Sequence, residues 1–281
     1  MFRQRGFTLV ELVIVIVLLG IVATISTQFV SLSVRGAIDL GDRQQRALQG
    51  VVISEQIIRE VREAHPLSVR ENDECLEWLP ILGATIYDVA AAGSDNTKVQ
   101  IMPFGEKIKR PARLIVYGYG STRADLYEPG TGNTLPNPGP VSPEILEVSA
   151  QAEHVEYANG ETHRFNARSP QKRLYAVGGP VSVCRSNDRQ RLYRYSDYES
   201  PTTQQPTNLA LATLVQTSDV TREVMSANLD PELDPASPLE WRMTAASLRR
   251  SAVVNFAFTL KAQNSNETTR VSQEVQIRNV P

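Results

Sequence analysis

The sequence predicts an α+β protein: a long N-terminal membrane-spanning helix packed on an antiparallel, β-rich globular domain. Three observations carry that expectation. The run Leu12 to Ile25, LVIVIVLLGIVATI, holds neither charge nor proline. No proline then interrupts the chain from Thr27 to Ala64, where apolar residues recur mostly at steps of three, four or seven. Beyond Pro66 the pattern changes to short apolar-rich stretches separated by Pro, Gly and Asn clusters, which is how strands and turns read.

The apolar run extends back to Phe7 and on to Val30. That is about 24 residues, or roughly 36 Å of helix, enough to cross a hydrocarbon core of about 30 Å. One carboxylate, Glu11, falls inside it. An acid in lipid costs about 2.5 kcal/mol or more, so its presence marks a functional position. The preceding hexapeptide MFRQRG carries Arg3 and Arg5 and ends in Gly6. A secretory signal has its apolar core first and its small-residue cleavage site after it, whereas here the small residue comes first. Cleavage after Gly6 would free the amine of Phe7, keep the helix on the product and make Glu11 its fifth residue.

The stretch Gly6-Phe7-Thr8-Leu9-Val10-Glu11, followed by the apolar run, resembles the class III signal of type IV pilins and type II secretion pseudopilins. The resemblance implies a pilin-like fold and a structural rather than catalytic role. It implies an inner-membrane prepilin peptidase that cuts between Gly6 and Phe7 and N-methylates Phe7. It gives Glu11 a part in subunit assembly, pairing with the N-terminal ammonium of a neighbouring pilin. The physics agrees, because a nearby opposite charge stabilises a carboxylate held in lipid. The plainer reading is an ordinary anchor with Glu11 near the interface, which leaves Gly6 and the early acid as coincidence.

A net charge of −2 and 41% apolar residues describe a soluble-type body on one membrane helix, with no broad basic footprint for nucleic acid. Positive-inside logic keeps Arg3 and Arg5 cytoplasmic and sends the chain after Val30 to the periplasmic side. That compartment oxidises thiols, so Cys75 and Cys184 are expected to form a disulfide, the alternative being two buried free thiols. The expected divisions are a cleaved leader at 1–6, a transmembrane part at 7–30, an amphipathic spine at 31–65 and a β-rich domain at 66–281.

In the spine the apolar positions are Ala37, Leu40, Ala47, Leu48, Val51, Val52, Ile57, Ile58 and Val61, and the polar face carries Arg43, Gln44, Arg46, Glu55, Arg59 and Glu63. This suits an amphipathic helix with one buried face. Gly36, Gly41 and Gly50 mark either bends and close contacts or simple tolerance, with tolerance favoured. The helix is expected to end at His65-Pro66, since a residue before proline is pushed out of the α region.

Within the body, Asp73–Trp78 reads as a polar loop pinned by Cys75 and Trp78. Val99–Met102 and Ala112–Tyr117 read as strands, and Tyr127–Pro143 as a surface loop. Asn159-Gly160 predicts a type I′ hairpin joining Glu153–Ala158 to Glu161–Asn166. That pairing would put His154, Glu156 and His163 on one face, within reach of one divalent metal, although a wet hairpin face is the commoner outcome. Pro180–Cys184 and Arg191–Tyr195 form a second hairpin around Ser186-Asn187-Asp188. Its tyrosines Tyr193, Tyr195 and Tyr198, with Arg191 and Arg194, read as sheet packing before a binding stripe. Leu209–Val215 is a strand or a short helical turn. The acidic turn Asp230–Asp234 lacks the ligand count and glycine of a calcium loop.

The chain closes with a hairpin of Val253–Ala262 and Thr269–Val280, with Val254, Phe256, Phe258 and Leu260 on one face. The sequence near Leu211, then NFAFTL, then QEVQIRNVP, resembles J-type minor pseudopilins and the MshO-type minor pilins of the mannose-sensitive haemagglutinin (MSHA) pilus. No G-x-S-x-G, P-loop, H-E-x-x-H or G-x-G-x-x-G stands in the chain. The expectation is therefore a non-enzymatic subunit without cofactor that primes, caps or joins a pilus. Its partners would be prepilin peptidase, other major and minor pilins, the inner-membrane assembly platform and the membrane. The alternatives are a minor pseudopilin of type II secretion and an anchored periplasmic binding protein.

Overall fold

The computed structural model describes residues 8–88, 95–109, 111–118, 124–127, 139–198, 205–217, 220–230, 240–244, 252–263 and 265–277. They begin with a 54-residue helix, α1 (Leu9–Arg62), and continue as an antiparallel β-rich domain. In chain order the strands are β1 (Arg70–Glu71), β2 (Cys75–Trp78), β3 (Ile81–Ile86), β4 (Lys98–Gln100), β5 (Ala112–Ile115), β6 (Val141–Glu144), β7 (His154–Glu156), β8 (Arg173–Gly178), β9 (Val181–Arg185), β10 (Leu192–Ser196), β11 (Thr221–Ser226), β12 (Glu240–Thr244), β13 (Ala252–Lys261) and β14 (Thr268–Ile277). A second helix, α2 (Asn208–Thr217), lies between β10 and β11. The chain forms two compact units, Met1–Gln49 and Gly50–Pro281.

In the first unit α1 is apolar nearly all round from Leu9 to Val34. Its large side chains from Leu9 to Leu40 stand at least 45% exposed, and the helix is long and apolar enough to cross a membrane. Two of its hydroxyls bond back to the helix: Thr24 Oγ1 donates to the Ile21 carbonyl at 2.8 Å and Thr27 Oγ1 to the Thr24 carbonyl at 2.9 Å.

In the second unit the rest of α1 is amphipathic. Ile53, Ile57, Ile58 and Val61 are buried, whereas Val51 and Val52 are exposed. Three consecutive apolar residues cannot share one helical stripe, and it is Ile53 that faces inward. Each buried side chain is worth about 1.5–3 kcal/mol. Gly50 is the glycine that matters for packing, since an added Cβ would stand 2.6 Å from Val271 Cγ2. Around Gly36 and Gly41 nothing lies within 4 Å of that position. So tolerance describes two of the three glycines, and close contact the third.

The strands form sheets of order β1-β2-β9-β10-β11, β3-β8-β5-β6, β12-β13-β14 and β4-β7, with all pairings antiparallel. The five-stranded sheet has two different faces. Leu76, Trp78, Val181, Val183 and Leu192 pack in one cluster with the α1 stripe and with Val254, Phe256, Phe258 and Leu260 of β13. Cys75, Cys184, Tyr193 and Tyr195 point the other way, into a cluster with Leu211 of α2. Period-two alternation explains the split.

Three expectations need correction. Asp73–Trp78 is not simply a loop: Cys75–Trp78 is strand β2, buried throughout. Its acid Glu77 is tolerated there because Arg70, its cross-strand partner in register, pairs with it. Val141–Pro143, assigned to a surface loop, belongs to strand β6, and Tyr127 is buried. Pro143 fits because β6 is a sheet edge. Residues 128–138 of that loop lie outside the described residues.

The third correction is the Asn159-Gly160 hairpin. The turn itself forms, with φ of 57° at Asn159 and 68° at Gly160 and a 3.1 Å bond from Glu161 N–H to the Ala158 carbonyl. The flanking segments nevertheless do not pair with each other. His154–Glu156 pairs with Lys98–Gln100, setting Val155 opposite Val99, both buried, and His163 bridges to Asn96. Distant pairing that buries two valines wins over a local pairing of Glu156 with His163. Of the two readings of Leu209–Val215, the helical one holds, since the stretch is part of helix α2.

Candidate functional site

The N-terminal site begins at Thr8. Its carbonyl accepts the Leu12 N–H at 3.2 Å, and its Oγ1 accepts the Glu11 N–H at 3.3 Å. Thr8 is thus the N-cap of α1 and satisfies one of the helix's orphan donors. Glu11 occupies the third helical position of a T-x-x-E pattern, which marks a capping box. It is exposed, and an acid in the first turn complements the helix dipole. The T-x-x-E pattern of Thr8 to Glu11 is the signal in the sequence for this cap. Gly6 and Phe7 lie outside the described residues.

Cys75 and Cys184 are joined, with Cα atoms 4.1 Å apart. They are register partners on β2 and β9. The neighbouring pair carries the ladder bond, Arg185 N–H to the Glu74 carbonyl at 3.0 Å. The cysteines therefore occupy a non-hydrogen-bonded pair, where cross-strand side chains come closest.

The triad His154, Glu156 and His163 is not assembled. His163 is buried, with Nε2 3.2 Å from the Gly139 carbonyl and its ring edge-on to Phe165 at 4.9 Å. His154 is half exposed beside Glu156, with Nε2 to Oε1 at 3.5 Å. No metal-holding group of three such side chains occurs among the described residues. Of the acidic turn only Asp230 is described.

The tyrosines are packing residues. Tyr193, Tyr195 and Tyr198 are buried. The Tyr195 hydroxyl donates to Asn208 Oδ1 at 2.9 Å, and that of Tyr198 to Glu77 Oε1 at 2.8 Å. Arg194 instead ties the sheet to the helix: its Nε reaches both Glu60 oxygens at 3.0 Å and its Nη1 reaches Glu223 at 3.2 Å.

Sequence reasoning missed the buried polar network around Glu77. Arg70 pairs with Glu77 and lies 3.6 Å over the Tyr127 ring, and Tyr198 is shared between Glu77 and Ser182. Burial pushes the Glu77 carboxyl up and Arg70 opposes it, while the Tyr198 phenol is held well above its usual range by burial and by Glu77. No local signal announces such a network, since its members are spread from residue 70 to residue 198.

His65, just after α1, is also buried. Its backbone N–H donates to the Leu79 carbonyl at 2.8 Å and its ring is edge-on to Tyr175 at 5.5 Å, while its Nδ1 has no hydrogen-bond partner among the described residues. Burial lowers its pKa to about 4, and that of His163 also to about 4.

No curated protein and no solved structure matches the chain. Residues 1–27, about a tenth of the chain, match the family model of the prokaryotic N-terminal methylation motif, the prepilin signal of type IV pilin-like proteins.

Proposed function

We propose that this chain is a minor pilin that works in the assembly, priming or capping of a type IV pilus, of the MSHA kind. The observation that carries this reading is the order of parts at the N-terminus: basic leader, Gly6, Phe7, Glu11, then α1. Prepilin peptidase cuts between Gly6 and Phe7 and methylates the new amine. Glu11, held in lipid one turn into the helix, then pairs with the ammonium of an adjacent pilin. The β-rich body stays on the periplasmic side and the disulfide braces it. Large size and the C-terminal resemblance favour a minor subunit over a small major one.

Mass spectrometry of the membrane-extracted protein tests the first step. The expected species lacks residues 1–6, begins at an N-methylated Phe7 and carries one disulfide. A mature chain that begins at Met1 overturns the reading. Deletion of the gene, scored for piliation and for export of folded proteins, separates a pilus subunit from a type II secretion pseudopilin. Loss of export with normal pili would assign it to secretion.

A further inference from the structure

We propose that the segment Gln205–Thr217, which contains α2, is a cover over the Cys75–Cys184 disulfide that docks after the disulfide forms and lifts apart from the rest of the body. Both cysteines are fully buried. On the α1 side of the sheet, cover comes from β13 and the α1 stripe, which bury many large side chains. On the disulfide side, α2 contributes a single fully buried side chain, Leu211, with Leu214 and Val215 partly buried against the same cluster.

The anchors of this segment fall on the residues around the disulfide. Gln205 Nε2 donates to the Cys75 carbonyl at 2.8 Å. Asn208 N–H donates to Glu74 Oε2 at 3.0 Å, and Asn208 Nδ2 to Asn187 Oδ1 at 2.9 Å. Asn72 Nδ2 reaches the Pro206 carbonyl at 3.4 Å. The partners Asn72, Glu74, Cys75 and Asn187 take their positions from the β2–β9 ladder, which the disulfide locks, and from the turn that follows β9. The anchors thus presuppose the cross-link, and the cross-link does not presuppose the anchors. Both cysteines also precede residue 205 in the chain, so they can meet before the cover is in place. A segment held mostly by polar bonds, with few buried apolar contacts, belongs to the part of a fold that opens first.

Formation of the bond is an ordinary thiol–disulfide exchange with an oxidised dithiol oxidoreductase. The two cysteine thiols give up two electrons and two protons, the Cys75–Cys184 bond forms, and the oxidant's disulfide becomes two thiols.

The full chain in detergent, treated with dithiothreitol and trapped with iodoacetamide, tests the proposal. Leu211→Ala should speed reduction by about tenfold or more beyond what its loss of global stability accounts for. Val254→Ala, a cavity in the α1-side cluster, should leave the rate nearly unchanged, because lifting the cover bypasses global unfolding, the route that would speed reduction in proportion to stability loss. If both variants fall on that one proportionality, the disulfide opens only by global unfolding and the cover is refuted. The order of events is read in a Cys75→Ser/Cys184→Ser chain by limited chymotrypsin digestion. Early cleavage after Leu209 or Leu214, with the rest of the body intact, is expected. Protection equal to that of the oxidised protein overturns the dependence of docking on the cross-link.

Discussion

The two ends of α1 are both apolar, yet they meet different surroundings. From Leu9 to Val30 the large apolar side chains are exposed on every side of the helix. From Gly50 to Arg62 only one stripe is apolar and buried, and the opposite face carries charge. One end has no inside or outside, which is the pattern of a helix surrounded by hydrocarbon or by other chains. The other has a defined inside because sheets lie against it. A change at the first end should therefore show in membrane and assembly behaviour, and a change at the second in the stability of the body.

The largest effect should come from Glu11→Ala. The chain should still be processed at Gly6 and still enter the membrane, but its content in sheared filaments should fall by about tenfold or more, as expected for loss of a charge pair in lipid. Immunoblots of sheared and membrane fractions would decide, and normal incorporation would remove the charge-pairing role. Ile57→Ala should do the reverse. It should cost the body about 2–5 kcal/mol, as large-to-small core changes do, and leave membrane insertion unchanged. Urea unfolding followed by tyrosine and tryptophan fluorescence measures the first and carbonate extraction the second.

Acid should also divide the molecule, since all three histidines lie after α1. The His65 pKa is lowered from 6.5 to about 4 in the fold. Between those values the unfolded chain binds the extra proton, so stability is full above pH 6.5 and falls as pH drops toward 4. For His65 the loss is up to about 3 kcal/mol, and His163 acts in the same direction. Glu77 has the opposite slope, because its folded pKa is raised. The flatter stability curve expected of His65→Gln, and not the wild-type curve alone, isolates the histidine. A variant curve as steep as wild type would assign the acid sensitivity elsewhere.

The smallest contrast is between glycines of the same helix. Gly36→Ala should be neutral or stabilising by up to about 1 kcal/mol, since alanine is the better helix former. Gly50→Ala should be destabilising by about 1 kcal/mol or more, because Val271 must move. Thermal melts of the two variants, and of Gly50→Ala with Val271→Ala, give the comparison. The double variant should recover part of the loss, and equal melting points for the two single variants would show that the close approach carries no energy.

What could be read in the residues followed the range of the interactions. α1 was legible from end to end because its hydrogen bonds span four residues and proline ends it at a known offset. The β9–β10 and β13–β14 hairpins were legible because a short turn sets their register. The β4–β7 pairing was not. Asn159-Gly160 made the turn its chemistry demands, but the strands leaving it chose distant partners with more apolar surface to share. β2 is not legible for a similar reason: Glu77 looks solvated until Arg70 and Tyr198 are seen beside it.

By itself, then, the sequence determined the N-terminal signal, the long helix and its stop, and the two local hairpins, all of which depend on neighbours a few residues away. Only the tertiary structure decided which of Val51, Val52 and Ile53 turns inward, that His163 leaves His154 and Glu156, and that α2 closes over the disulfide face of the sheet. Those outcomes depend on which distant surfaces meet. The free energy of such meetings comes from burial summed over both partners, and no single stretch of residues carries that sum.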